Sequence, residues 1–538
     1  MDIPSLFMIP SAVSSGKVHS VFPNSTDADF DFNRDSDATR VNSEGLIERV
    51  GYYGSELILN GDFATDSNWV KGAGWTISGG EANCNSGSST ELYQSLAVSG
   101  KTYKITFTIT SYTSGQIAAR AGGITGVVRT SIGTFTDTIT ANGTQLGVFN
   151  SGGFVGSIDN VSAVEVTGDR ARLNYEIEGG LVNTKPSLLL EPQSTNLITY
   201  SNNVIDSGNV YSNMSGLINQ VTSPEGVINA GALIENTANT DHYFQRGLAA
   251  ISSSNYYTVS FFAKYNGRGA SVNIGASRLY AHFDLQAGTV IASGNNSDWQ
   301  NLSTDIINYG NGWYKCVLTG QSVTGVAGYI RVHTNNGITS SYTSSYTGDG
   351  KSGIFIYGIQ FEQQAYCTSY IPTNGSTQTR AAETCNGAGT SSIFESSEGI
   401  LYCEIAALAD DGNIKHISLS DGSTNNRIII AIDEYNDVRF YYQGTGGSVL
   451  VSFSNQSLLF SKIAIRYKSG NFCYYINGAK VGVNTSAISF SGLNDLSFNN
   501  PYQGGTSPLY GKIRDIRVYN TKEMTDSEVD ILLTKITS

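Results

Sequence analysis

From Lys104 to Thr110 the chain reads Lys-Ile-Thr-Phe-Thr-Ile-Thr, with an apolar residue at every second position. A helix cannot gather such residues on one side, whereas a strand sends alternate side chains to opposite faces, one for a core and one for water. Stretches rich in β-branched and aromatic residues recur at Tyr257 to Ala263, Ile354 to Glu362, Leu401 to Ala406, Arg427 to Ile432, Val438 to Tyr442 and Lys462 to Tyr467. Composition agrees: 60 Gly, 31 Tyr and 22 Phe against 14% charged residues suit strands and turns and starve long helices. The expected fold is all-β, several antiparallel β-sandwiches of jelly-roll type in tandem. At roughly 150 residues per domain, a chain of 538 residues implies three or four of them.

A formal net charge of -13 and a pI near 4.9, without a dense Lys/Arg patch, argue against a nucleic-acid partner. The six cysteines (Cys84, Cys316, Cys367, Cys385, Cys403, Cys473) show no metal-ligand spacing and read as free, partly buried thiols. The start Met1-Asp2-Ile3-Pro4 has no basic segment, and the apolar stretch to Ile9 is too short for an export signal or a membrane span. Membrane insertion is not expected.

Leu57-Ile58-Leu59-Asn60-Gly61-Asp62-Phe63 opens a block that closes on Ser157-Ile158-Asp159-Asn160-Val161. This opening and ending resemble the jelly-roll carbohydrate-binding modules. The resemblance implies no required cofactor but a structural Ca²⁺ held between the first and last strands, with Asp159 and Asp62 as candidate ligands. Ala64 stands where many members place Glu.

Two pieces flank that block. Phe30-Asp31-Phe32-Asn33-Arg34 through Gly45-Leu46-Ile47-Glu48 resembles the N-terminal segment of many phage tail and fibre proteins. In those proteins it runs straight into motifs that stand here at Arg172-Leu173-Asn174-Tyr175 and Leu188-Leu189-Leu190-Glu191-Pro192-Gln193. The same proteins carry, in order, counterparts of Gly312-Trp313-Tyr314, Gly358-Ile359-Gln360-Phe361-Glu362 and Thr368-Ser369-Tyr370-Ile371-Pro372-Thr373. The resemblance implies an N-terminal virion-attachment segment at 1–54, continued at 168–190, with a jelly roll inserted at 55–167. A second sandwich follows at 191–385. Insertion at an exposed point with neighbouring ends is physically easy.

The last block, 396–538, holds the Tyr475-Ile476-Asn477-Gly478 hairpin, Ile516-Arg517-Val518-Tyr519-Asn520, and a terminal helix with Thr525 as N-cap and Glu528 three residues on. It resembles the laminin-G-like, concanavalin-type sandwich.

Cleaving a glycosidic bond needs two carboxylates about 5 to 10 Å apart. Asp433-Glu434 with Asp437, and Glu404 alone, do not form the Glu-x-Asp-x-Glu run of glucanases sharing that sandwich. The five histidines (His19, His242, His282, His333, His416) are dispersed, with neither His-Glu-x-x-His nor Gly-x-Ser-x-Gly, so they read as ordinary strand or surface residues. No catalytic residue and no enzymatic activity are expected. Sugar binding asks less: a flat ring against a pyranose face and polar groups for the hydroxyls. Trp75, Tyr93, Tyr112, Tyr243, Trp299, Tyr441, Tyr442 and Tyr502 lie in polar, Gly-rich text and are the candidates. Against each stands the plainer reading that it covers a core edge. Tyr441 and Tyr442, adjacent on one strand, should point to opposite faces.

The expectation is a phage virion surface protein, a fibre or spike assembled in the host cytoplasm, that binds host cell-surface carbohydrate for adsorption. Its partners would be a host glycan, other virion proteins and copies of itself, as a homo-oligomer with a trimer the first choice. The alternatives are a capsid or tail decoration protein without sugar binding and, third, a polysaccharide depolymerase.

Overall fold

The computed structural model describes residues 3–538 apart from 15, 35, 170, 203, 206–207, 276–278, 326–327, 338–344, 456–457 and 502–506. The fold is all-β, as expected, built of antiparallel sheets with one α-helix, Asp526–Thr537, among the described residues. No described helix is long and apolar enough to cross a membrane. The chain divides into two compact units, Gly51–Asp169 and the remainder, Met1–Val50 with Arg170–Ser538.

In Gly51–Asp169 the alternation that opened the argument becomes the strand Thr102–Ser114. Tyr103, Ile105, Phe107 and Ile109 point into the core, each at most 1% exposed. The threonines between them face outward and pair hydroxyl to hydroxyl with the next strand, Thr106 with Thr136 and Thr108 with Thr134, both at 2.9 Å. This strand sits between Gly133–Thr140 and Val155–Asp169, in a six-stranded sheet completed by Glu81–Asn85, Trp75–Ser78 and Gly51–Glu56, the last paired with Val155–Asp169. The facing sheet contains Ile117–Ala121, Gln145–Asn150 and Thr90–Ser95. The block was expected at 55–167; the compact unit runs 51–169.

The larger unit holds two sandwiches. One packs a sheet running from Asn209–Ser212 to Thr289–Gly294 against a sheet with Gly353–Glu362, Tyr256–Asn266 and Trp313–Ser322 at its centre. The other packs a sheet containing Gly511–Asn520, Glu398–Ala407, Ser461–Lys468 and Phe472–Ile476 against a sheet of Gly447–Phe453, Val438–Gly444, Arg427–Ile432, Lys415–Ser420 and Asp495–Ser497. Segments 1–54 and 168–190, expected as a module of their own, supply strands to this terminal sandwich: Leu6 pairs with Val518 and Leu188 with Ile513. The Asn477-Gly478 turn has φ of 48° and 83°, the left-handed pair a two-residue hairpin requires. Thr525 and Glu528 close a reciprocal capping box on the helix, which packs Val529, Leu532 and Leu533 on the outside of the larger sheet.

The motif residues converge on buried charge. Arg34 Nη1 and Arg172 Nε both donate to Glu383 Oε1, at 2.7 and 2.8 Å. Arg172 also pairs with Glu191 at 2.7 Å, as does Arg380 at 3.0 Å. Ser369 donates to Glu191 through its hydroxyl and its N–H. Burial would raise the Glu191 carboxyl, but Arg380, Arg172 and the Ser369 bonds outweigh it and hold it well below the usual carboxylate range. All six cysteines are unpaired, and burial raises the thiols of Cys316, Cys385 and Cys403 well above their ordinary value.

Candidate glycan-binding face

The outer face of the Arg427–Ile432 sheet is set by register. Ser420 pairs with Arg427 and Arg427 with Gln443; Ser418 with Ile429, Ile429 with Tyr441, and Tyr441 with Leu450; His416 with Ala431, and Ala431 with Arg439. Their alternates, Ile417, Leu419, Ile428, Ile430, Phe440 and Tyr442, all lie in the core. Period two therefore puts one aromatic ring, Tyr441, on a face that mixes Arg427, Arg439, His416, Gln443, Ser418 and Ser420 with the apolar Ile429, Ala431 and Leu450.

That face carries a hollow of ≈ 340 Å³ lined by His416, Arg427, Arg439, Tyr441, Leu450 and Asn500, among others. Arg427 lies across Tyr441, with its guanidinium carbon 4.9 Å from the ring centre, and donates to Asn500 Oδ1 at 2.7 Å. Tyr441 donates to Gln443 Oε1 at 2.6 Å, which fixes the ring against the sheet. Leu450 beside it is 58% exposed. His416 Nδ1 lies 3.1 Å from Ser507 O. Burial first, then the charges of Arg427 and Arg439, push its imidazole down to about 4 despite that bond, so it is neutral at pH 7. An apolar ring amid convergent donors suits a sugar.

The structure corrects three expected sugar-stacking residues. Trp75, 4% exposed, alternates inward with Ile77 and packs on Phe154. Trp299, 2% exposed, belongs to the core of the second sandwich. Tyr442, 0% exposed, stacks on Phe472 at 4.2 Å and shares a hydrogen bond with Tyr474. Each was judged by its polar neighbours, but the face a strand residue takes decides its burial.

Others stay partly exposed. Tyr93 and Arg120 both pair with Gly147, which leaves no side chain between them on the outer face of their sheet. Tyr112 donates to Gly115 O, and Tyr243 lies under Arg331 at 4.4 Å. Tyr502 lies outside the described residues. Tyr93, Tyr112 and Tyr243 stand on three different sheets. Arg427, Arg439 and Asn500 were not anticipated; the outward positions of Arg427, Ile429 and Ala431 carried the only signal for the first.

Asp62 is exposed and Asp159 partly so, near the point where Val161 N donates to Gly61 O at 2.9 Å. Asp159 accepts from Asn160 N and Nδ2, and Asp62 from Ala64 N. Among the described residues no three His, Cys, Asp or Glu come together as a metal cluster. Ca²⁺ takes six to eight oxygens, so these two carboxylates would need main-chain carbonyls and water to complete a shell.

The carboxylates weighed for catalysis are engaged structurally. Asp433 and Glu434 pair with Arg439 at 3.0 and 3.3 Å, Asp437 accepts from Asn455 N, and Glu404 faces Arg514 at 3.8 Å. In the larger unit a second concavity of ≈ 830 Å³ is lined by Lys315, Asp305, Asp410, Tyr366 and others. Lys315 there donates to Thr368 O at 3.1 Å.

No curated protein sequence matches the chain. Among solved structures with a similar arrangement is the CBM40 module of the Ruminococcus gnavus IT-sialidase bound to α2,3-sialyllactose. It is 15% identical, covering 28% of this chain and 88% of that one, with a TM-score of 0.24. Another is the CBM22-1–CBM22-2 tandem of Paenibacillus barcinonensis Xyn10C, 11% identical, covering 59% and 98%, with a TM-score of 0.20. Residues 404–530, in the sandwich that carries Tyr441, match the family model described as the concanavalin A-like lectin/glucanases superfamily, so this sandwich is similar to that family.

Proposed function

We propose that this chain is a non-enzymatic surface protein of a phage particle, a fibre or spike, that holds host carbohydrate on the outer face of its terminal sandwich. The observation that carries the sugar-binding part is Tyr441, a partly exposed ring among outward Arg, His, Gln and Asn in a domain of lectin-like fold. The phage part rests on the ordered motifs from Arg34 to Thr373, whose charged residues Arg34, Arg172 and Glu191 meet in the buried network. Other particle proteins and further copies of this chain, as a homo-oligomer, would be its partners, and a structural Ca²⁺ at Asp62 and Asp159 would stiffen the inserted jelly roll.

Two measurements test this together. Purified particles labelled with an antibody against this chain should carry it on the surface, and the isolated chain should bind members of a glycan array without releasing reducing ends. Silence on every glycan, with the label still on particles, would favour an assembly role; new reducing ends would favour a depolymerase.

A further inference from the structure

The terminal sandwich buries an arginine, Arg427, that pairs with no carboxylate among the described residues. Arg427 is 8% exposed, and among the described residues it makes no ion pair. The stretches of this domain outside the description, 456–457 and 502–506, read Gln-Ser and Tyr-Gln-Gly-Gly-Thr and contain no Asp or Glu. The four arginines that are under 2% exposed behave otherwise: Arg34, Arg172, Arg380 and Arg466 each sit on a carboxylate. Arg427 has Asn500 Oδ1 as its hydrogen-bond acceptor, and its Nε is buried with none. A guanidinium has five N–H donors, and the one on Nε is shut in here without an acceptor. Stacking over Tyr441 offsets only part of the cost of taking an unpaired charge from water.

The charge left without an anion in the hollow is that of Arg427. Arg439 brings a second guanidinium to the same hollow, with Asp433 and Glu434 paired to it. His416 is pushed towards its neutral form partly by these two arginines. Within a chain of net charge -13, the hollow thus holds one guanidinium, that of Arg427, with no carboxylate partner among the described residues, beside an aromatic ring. A planar guanidinium matches a carboxylate in a two-point fork, and a pocket of ≈ 340 Å³ lies within the ordinary range for small-ligand sites.

We propose that this hollow takes a carboxylate-bearing sugar, with the carboxylate on Arg427 and the pyranose face against Tyr441. This rests on the glycan-binding reading above and names the class of glycan: a polysaccharide containing uronic or other sugar-acid residues.

The test uses the full chain and an array of hexuronate and sialic-acid oligosaccharides, each beside its carboxyl-reduced, neutral counterpart and a sulfated neutral sugar. Wild-type protein should bind an acidic member at least about ten-fold tighter than its reduced counterpart, and added salt should weaken that binding. Arg427→Gln should lose the preference while Tyr441→Ala loses affinity for the whole ring. The ligand-side comparison needs no variant, so it stands even if Arg427→Gln fails to fold. Equal binding of acidic and reduced sugars, abolished by Tyr441→Ala, would keep the glycan face and overturn the acidic assignment. Preference for sulfated over carboxylated sugar would overturn the carboxylate, and no binding to any member would overturn both readings.

Discussion

Arg34 and Arg172, 138 positions apart in the sequence, donate to the same oxygen of Glu383. Between them leave and return the ends of the unit Gly51–Asp169. Arg34 also donates to Val50 O, the last residue before that unit, at 2.7 Å. The point of insertion is thus held by charge that belongs wholly to the host unit, with Arg34 and Arg172 supplied from either side of the inserted unit and Glu383 from far along the chain.

Removing Glu383 should therefore be costly. Glu383→Gln leaves two buried guanidiniums short of their anion, and breaking a buried pair from one side costs about 3 to 5 kcal/mol. Calorimetry should show the transition of the larger unit lowered by several degrees and that of Gly51–Asp169 unmoved. A change confined to the smaller unit would show that the network does not carry the host.

The insertion itself can be removed. Deleting 51–169 and joining Val50 to Arg170 keeps Arg34, Arg172, Glu191, Arg380 and Glu383, so the remaining chain should stay soluble and unfold cooperatively. Recovery of only aggregated material would count against independent folding.

Local structure was legible because its signals are local. The period-two run at Lys104, the Asn477-Gly478 turn and the Thr525/Glu528 cap each act within a few residues, and each forms as read. The buried network was not legible, since its partners lie 211 and 349 positions apart and only the tertiary fold brings them together. Trp75 was a missed signal of another kind: Trp75-Thr76-Ile77-Ser78 alternates, so its ring shares a face with Ile77 and had to enter the core. The hollow at Arg427 was not legible because Arg427 begins a run of isoleucines that reads as a strand buried on both sides, although Arg427 itself faces outward.

Acid should weaken the fold before its carboxylates titrate. Burial first lowers His416 to about 4 and His333 to about 3, against about 6.5 for an unfolded imidazole. Between these values the unfolded chain binds the extra proton, so stability is complete above about pH 6.5 and falls as the pH drops through it. The slope is on the order of 1.4 kcal/mol per pH unit per group and ends once the folded imidazoles protonate. Glu191, held low in the fold, adds its own loss only below about pH 4.3, the unfolded carboxylate value. Urea midpoints at pH 7, 6 and 5 should fall steadily, and more shallowly for His416→Asn. An unchanged slope in that variant would mean that His416 takes up its proton equally in the folded and the unfolded chain.

Tyr441 and Tyr442 allow the sharpest separation of binding from structure, because one strand presents them to opposite faces. Tyr442 stacks on Phe472 at 4.2 Å, sits edge-on to Phe490 and hydrogen-bonds Tyr474. Truncation to Ala opens a cavity in a close-packed core and should cost about 3 to 5 kcal/mol, several degrees in the melting temperature of the larger unit. Tyr442→Phe keeps the ring and should lose about 1 kcal/mol, the hydrogen bond alone. Tyr441→Ala removes a partly exposed ring whose hydroxyl bonds a neighbour on its own strand, so melting should shift by no more than a degree or two. Glycan affinity should instead fall by roughly ten-fold, the 1 to 2 kcal/mol a stacked ring supplies. Equal melting losses in both alanine variants, with binding to cells unchanged, would make Tyr441 a structural residue and move the search to the Tyr93–Gly147–Arg120 row of the inserted jelly roll.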